Sequence, residues 1–144
     1  MGSAAFGQEA PPTEQEGGVR NGITFDTGAL IALERRSQRA RSVLERATET
    51  KVRITVPAAV LTEWWRGRSD LGERIVAAIR IEPLSERLAK LAGEALASVK
   101  GATPIDAIVM ASAAQRGDLV YTADVSDLER LAQHFRSVRV LSIG

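Results

Sequence analysis

The chain has 144 residues, 44% of them hydrophobic and 26% charged, a size and composition that suit one domain with a substantial core. A net charge of +1 neither demands nor excludes a nucleic-acid partner, because such partners select clustered rather than total charge. The lack of cysteine excludes disulfides, thiolate metal sites and cysteine nucleophiles, and His134 alone is too little for a multi-histidine zinc site.

Residues 1–20 are rich in Gly, Pro, Glu and Gln and offer almost nothing to bury. They read as a disordered tail or a leader, with the folded domain expected over residues 21–144. Ile23, Thr24 and Phe25 predict a strand that ends at Asp26, and residues 27–36 a helix with Leu30, Ile31 and Leu33 on its apolar side. Ala40, Val43, Leu44 and Ala47, three and four apart, predict a helix over 37–50 with arginines facing out. A strand over 52–56 follows, and then a helix opened by Pro57. Val60, Leu61 and Trp64 form its buried stripe, Glu63 lies at its margin and Gly67 ends it. Leu71, Ile75, Val76 and Ile79 mark another amphipathic helix, residues 81–84 an extended segment, and Leu88 to Val99 a long helix stopped by Gly101.

Thr103 and Pro104 have the chemistry of an N-cap and first helical residue, which puts Asp106 in the first turn of a helix closed by Gly117. Its surface of small residues lets neighbouring backbones come close. Leu119 to Thr122 is a short apolar strand. Asp124 starts the next helix, with Leu128, Leu131 and Phe135 inward, and 138–141 is a last strand. Short strands alternating with helices predict an α/β fold around a mostly parallel sheet. No apolar run approaches membrane-spanning length and no secretory signal is present, so a cytoplasmic location is expected.

In open parallel sheets ligands bind beyond the carboxyl ends of strands, where Asp26, Asp124 and Asp127 all fall. Asp106 enters a helix and Glu63 rides the edge of a buried one. Carboxylates converging in one crevice repel each other unless a cation neutralises them, and a set of oxygen ligands without cysteine or clustered histidine suits Mg²⁺ or Mn²⁺. Such ions activate water and stabilise a leaving oxygen, which is the chemistry of phosphodiester hydrolysis.

The stretches FDTGALIAL, VPAAVLTEWWRG, TPIDAIVMASAAQRGD and LVYTADVSDLERL, in that order and spacing, resemble the four motifs of the PIN-domain family, in particular its VapC-type toxins. The resemblance covers about residues 23–141. It implies a three-layer α/β/α fold, and a Mg²⁺- or Mn²⁺-dependent endoribonuclease acting on structured RNA such as tRNA or ribosomal RNA. It also implies a homodimer held inactive by a cognate antitoxin. By matching motif, Asp26, Glu63, Asp106 and Asp124 would be the metal-binding acids, Asp127 an accessory one and Thr122 a hydroxyl that orders the site. Gly28 stands where serine is common in the family, and Leu128 where phenylalanine is.

Each acid also has a plainer reading. Asp26 and Asp124 suit helix N-caps, and Asp106 and Asp127 sit where a capping box places an acid. Capping does not account for Glu63, which lies too far into its helix. Trp64 and Trp65 fit core or dimer packing better than base stacking. The basic run from Arg35 to Arg53 is interleaved with Glu34, Glu45 and Glu49, and suits phosphate contacts and a solvated helix face equally. The rival to a nuclease is a non-catalytic PIN-like module that binds RNA or protein.

Overall fold

The computed structural model describes residues 22–144. The tail expected over residues 1–20 lies outside the described residues. Strands β1 (Gly22–Phe25), β2 (Arg53–Pro57), β3 (Arg80–Glu82), β4 (Leu119–Thr122) and β5 (Arg139–Ser142) form one sheet in the order β3-β2-β1-β4-β5, with every neighbouring pair parallel. The helices are α1 (Thr27–Glu34), α2 (Gln38–Glu49), α3 (Ala58–Trp64), α4 (Asp70–Ala77), α5 (Glu86–Ser98), α6 (Pro104–Arg116) and α7 (Val125–Ala132).

Parallel strands need crossovers, and crossovers are right-handed. The chain moves from β1 through β2 to β3 in one direction and returns to β4 and β5 in the other. Right-handed connections therefore send α1 to α4 to one face and α5 to α7 to the other. Packing agrees, since α1 and α2 lie together, and α6 lies against both α5 and α7. This is the expected three-layer α/β/α arrangement.

Strands buried on both faces carry little alternation. Gly22, Ile23, Thr24 and Phe25 are all buried. Phe25, Leu30, Val56, Val60, Leu88, Met110, Val120, Leu128 and Leu131 form the body of the core. Six helices begin with a side chain that accepts a backbone N–H, from Asp26, Ser37, Ser69, Ser85, Thr103 or Asp124. Only α3 starts on Pro57 without one. Among the described residues no helix is long and apolar enough to cross a membrane.

Several boundaries differ from expectation. Helix α3 stops at Trp64, and Trp65 is already extended, so Gly67 at φ +123° lies in the loop beyond. Likewise α5 stops at Ser98 with Val99 extended, and Gly101 follows. In both places the chain leaves helical dihedrals before reaching its glycine. Phe135 and Ile79 lie past the ends of α7 and α4 and are only half-buried. Gly117 does close α6, in the left-handed conformation at φ +74°.

Candidate functional site

The order of the strands reverses direction between β1 and β4. Helices leaving these two strands go to opposite faces, so a crevice opens between their carboxyl ends. Asp26 is the residue after β1 and caps α1, its Oδ1 accepting the Ala29 N–H at 2.9 Å. It is 8% exposed. Asp124 caps α7, accepting from the Ser126 N–H at 3.2 Å and the Ser126 hydroxyl at 2.6 Å. Thr122, buried at the end of β4, accepts the Asp124 N–H at 3.0 Å and so fixes the turn that presents this acid.

The other acids arrive on helices. Asp106 stands in the first turn of α6, and its N–H donates to the Thr103 hydroxyl at 3.2 Å. Glu63 projects from the last turn of α3 and accepts the Thr27 hydroxyl. Asp127 lies in the first turn of α7. All six residues singled out in the sequence, Asp26, Glu63, Asp106, Thr122, Asp124 and Asp127, line one crevice of about 290 Å³. Thr27, Gly28, Thr103, Ile105 and Ala123 complete the wall. Sequence reasoning assigned nothing to Thr27, whose only local signal is its place directly after Asp26.

Electrostatics separate the acids. Burial raises Asp26 above the usual carboxylate range, against the opposing pull of the Thr122 hydroxyl and the Ala29 N–H. Asp106 is pushed up to about 6, chiefly by burial, with the charges of Asp26, Asp127 and Glu63 adding to the rise and the Thr103 hydroxyl opposing it. Asp124, fully exposed, is held below its ordinary value, first by Ser126. A carboxylate that only caps a helix is lowered by the N–H groups it faces. Asp124 behaves in that way, and Asp106 does the opposite.

Among the described residues no three acids are drawn together closely enough to hold a metal ion as they stand. Like charges keep apart, and Asp26, Asp124 and Glu63 each hold a protein donor. The donor chemistry nonetheless fits a hard cation: five carboxylates share one crevice, and one of them is raised in part by three others. Positive charge is what the crevice lacks.

Gly28 has a steric reason. A Cβ built on it would come within 2.8 Å of the Ala123 Cβ, so the β1–α1 turn is pressed against the β4–α7 turn. The serine common at this position in the resembling family would need those turns to separate.

A second polar cluster, not anticipated from the sequence, lies where α6 crosses the sheet. Arg116 donates to Asp118 at 2.9 Å, to Glu82 at 2.8 Å, to the Thr24 hydroxyl at 2.8 Å and to the Ser112 hydroxyl at 2.9 Å. Thr24 donates to Asp118, which is 2% exposed.

No curated protein matches the chain. Among solved structures it is similar to a toxin–antitoxin complex from Klebsiella pneumoniae, with TM-score 0.65 and 19% identity over 81% of this chain and 94% of that one. FitAB bound to a DNA fragment gives TM-score 0.61 and 20% identity, over 84% of this chain and 94% of that one. FitAcB from Neisseria gonorrhoeae gives 0.60 and 18%, over 84% and 97%. At such identities these likenesses speak for the fold. The sequence model of the PIN domain matches residues 23–133, from the start of β1 to just past α7. The chain thus belongs to the PIN domain family.

Proposed function

We infer that the protein is a metal-dependent endoribonuclease of the VapC type, the toxin of a toxin–antitoxin pair. The observation that carries this reading is the convergence of Asp26, Glu63, Asp106, Asp124 and Asp127 on one crevice at the switch point of the sheet, with Asp106 raised to about 6. Asp26, Asp106 and Asp124 would hold Mg²⁺ or Mn²⁺, with Glu63 and Asp127 completing the set. The ion would supply an activated water and charge stabilisation at the leaving oxygen. Thr122 and Thr27 position Asp124 and Glu63 through their hydroxyls, and Thr103 holds the turn that carries Asp106.

An antitoxin partner has support of its own. A groove of about 260 Å³ is floored by Leu33, Leu44, Leu71 and Ile75 and rimmed by Arg36, Arg41 and Arg74. Its chemistry suits the apolar face of an amphipathic helix with acidic flanks. Two of the similar structures are, by their descriptions, a toxin–antitoxin complex and FitAB on DNA. A homodimer and a structured RNA substrate such as tRNA or ribosomal RNA complete the reading.

Incubation of the purified protein with RNA in Mg²⁺, beside an Asp26→Ala control, is the test. Cleavage that EDTA abolishes and the variant lacks supports the nuclease. RNA binding without cleavage in either metal would leave the non-catalytic PIN-like module.

A further inference from the structure

Apart from the acid crevice and the apolar groove, a cavity of about 320 Å³ is lined by Glu34, Trp64, Trp65, Arg66, Gly67, Arg68, Ser69 and Gly72. It is built where the ends of α1 and α3 meet the start of α4. Trp64 is core, as its spacing predicted, at 8% exposed. Trp65 is not fully enclosed: its indole stands edge-to-face on that of Trp64, with centroids 6.1 Å apart, and keeps surface toward the cavity. The Trp64 indole N–H donates to Glu34 Oε1 at 3.2 Å, which fixes the carboxylate against the cavity wall. Glu34 Oε2 has no hydrogen bond from any described residue. Arg66 and Arg68 are exposed on the loop above, which turns at Gly67 in a backbone region that side chains rarely adopt.

We propose that this cavity is a nucleobase subsite, in which Trp65 stacks an unpaired guanine, the Glu34 carboxylate accepts both donors of its Watson–Crick edge through Oε2 and the lone pair of Oε1 that the Trp64 indole leaves, and Arg66 and Arg68 meet the adjoining phosphates. The proposal rests on the ribonuclease reading and adds to it a base preference. Four features argue for it. Stacking on an indole is open to any base, whereas a carboxylate acceptor selects guanine, whose N1–H and N2 amino group are adjacent donors. Adenine and the pyrimidines lack that pair. Among the described residues Arg68 pairs with Glu73 alone, at 2.9 Å and with both side chains well exposed, a pairing weak enough to be exchanged for phosphate. Finally, the cavity is tied to the crevice: Glu63 and Trp64 are consecutive in α3, and Thr27 and Glu34 are the two ends of α1, roughly 10 Å apart at 1.5 Å per residue. That spacing brings a base flanking the cleaved bond within reach. A protein side chain is the less suitable occupant, since a stacking wall, an anionic acceptor and two cations together answer to base and phosphate.

Binding is measured in EDTA, where cleavage is excluded, by the fluorescence anisotropy of end-labelled single-stranded hexaribonucleotides that carry one guanine, inosine or adenine in a uridine background. Wild type should bind the guanine oligomer most tightly. Trp65→Ala should weaken it roughly tenfold to a hundredfold, the range of one lost base stack, and Trp65→Phe should restore most of the affinity. Glu34→Gln keeps an oxygen for the Trp64 indole, so the melting temperature should hold while the guanine preference disappears. A folded Trp65→Ala that binds every oligomer like wild type overturns the subsite. So does a wild type that binds the guanine, inosine and adenine oligomers equally. Because no cleavage is involved, guanine-selective binding by a protein that never cuts RNA would uphold the subsite and remove the nuclease, and cleavage indifferent to both variants would do the reverse.

Discussion

Asp106 is where two local effects oppose each other. The N-terminus of α6 favours its charge, while burial and three neighbouring acids disfavour it, and the rise to about 6 says which wins. A carboxyl whose folded value lies above its unfolded 3.8 makes the ionised fold less stable. The penalty is absent below about pH 4 and grows as pH rises through 6. Metal-free Asp106→Asn should therefore exceed wild type at pH 7 by on the order of 1 kcal/mol, a value discounted for solvent screening of a half-exposed group, and the two should converge near pH 4. Urea melts at both pH values check this, and a variant less stable at pH 7 would return Asp106 to a plain cap. If the crevice holds a cation, Mn²⁺ affinity should rise from pH 5 to 7, because the ion would compete with the Asp106 proton. Titration calorimetry at three pH values reads that slope. Asp106 was legible because Thr103, Pro104 and Asp106 form a local pattern. Arg116 was not, since its partners Thr24 and Glu82 are 92 and 34 residues away. Removing that guanidinium strands a buried carboxylate, so Arg116→Met should cost about 3 to 5 kcal/mol in a urea melt.

At the scale of elements, strands and helices could be read from periodicity and capping residues, because both depend on neighbours along the chain. Gly67 and Gly101 misled for the converse reason, as the helix ends before them are set by how the chain docks against its neighbours. The contact of two turns at Gly28 and Ala123 is equally invisible in the sequence. It makes a specific prediction. Gly28→Ser should destabilise by about 1 to 3 kcal/mol through overpacking, and Ala123→Gly in the same chain should recover much of that loss. Thermal melts of the double-mutant cycle measure the coupling. Equal losses with and without Ala123→Gly would mean the clash is relieved elsewhere.

For the whole molecule, the alternation of elements conveyed the α/β class, but strand order is a long-range property, and the switch point between β1 and β4 emerges only in the folded sheet. If that crevice binds a cation, the ion stabilises only the folded state. Mg²⁺ at a hundred times its dissociation constant should then add about 2.7 kcal/mol, seen as a higher melting temperature that Asp26→Ala abolishes. The same strand order governs when the protein comes into being. Ile23 of β1 pairs with Leu119 of β4, so the central strand waits for a neighbour made 96 residues later. On the ribosome, β1, β2 and β3 can assemble early while one edge of β1 stays bare. Asp26 and Glu63 are then already in place, yet Asp106 and Asp124 have still to emerge. On the ribonuclease reading, a nascent chain would stay inert until β4 and α7 have been made, and any chaperone that shields it has the open edge of β1 as its natural handhold.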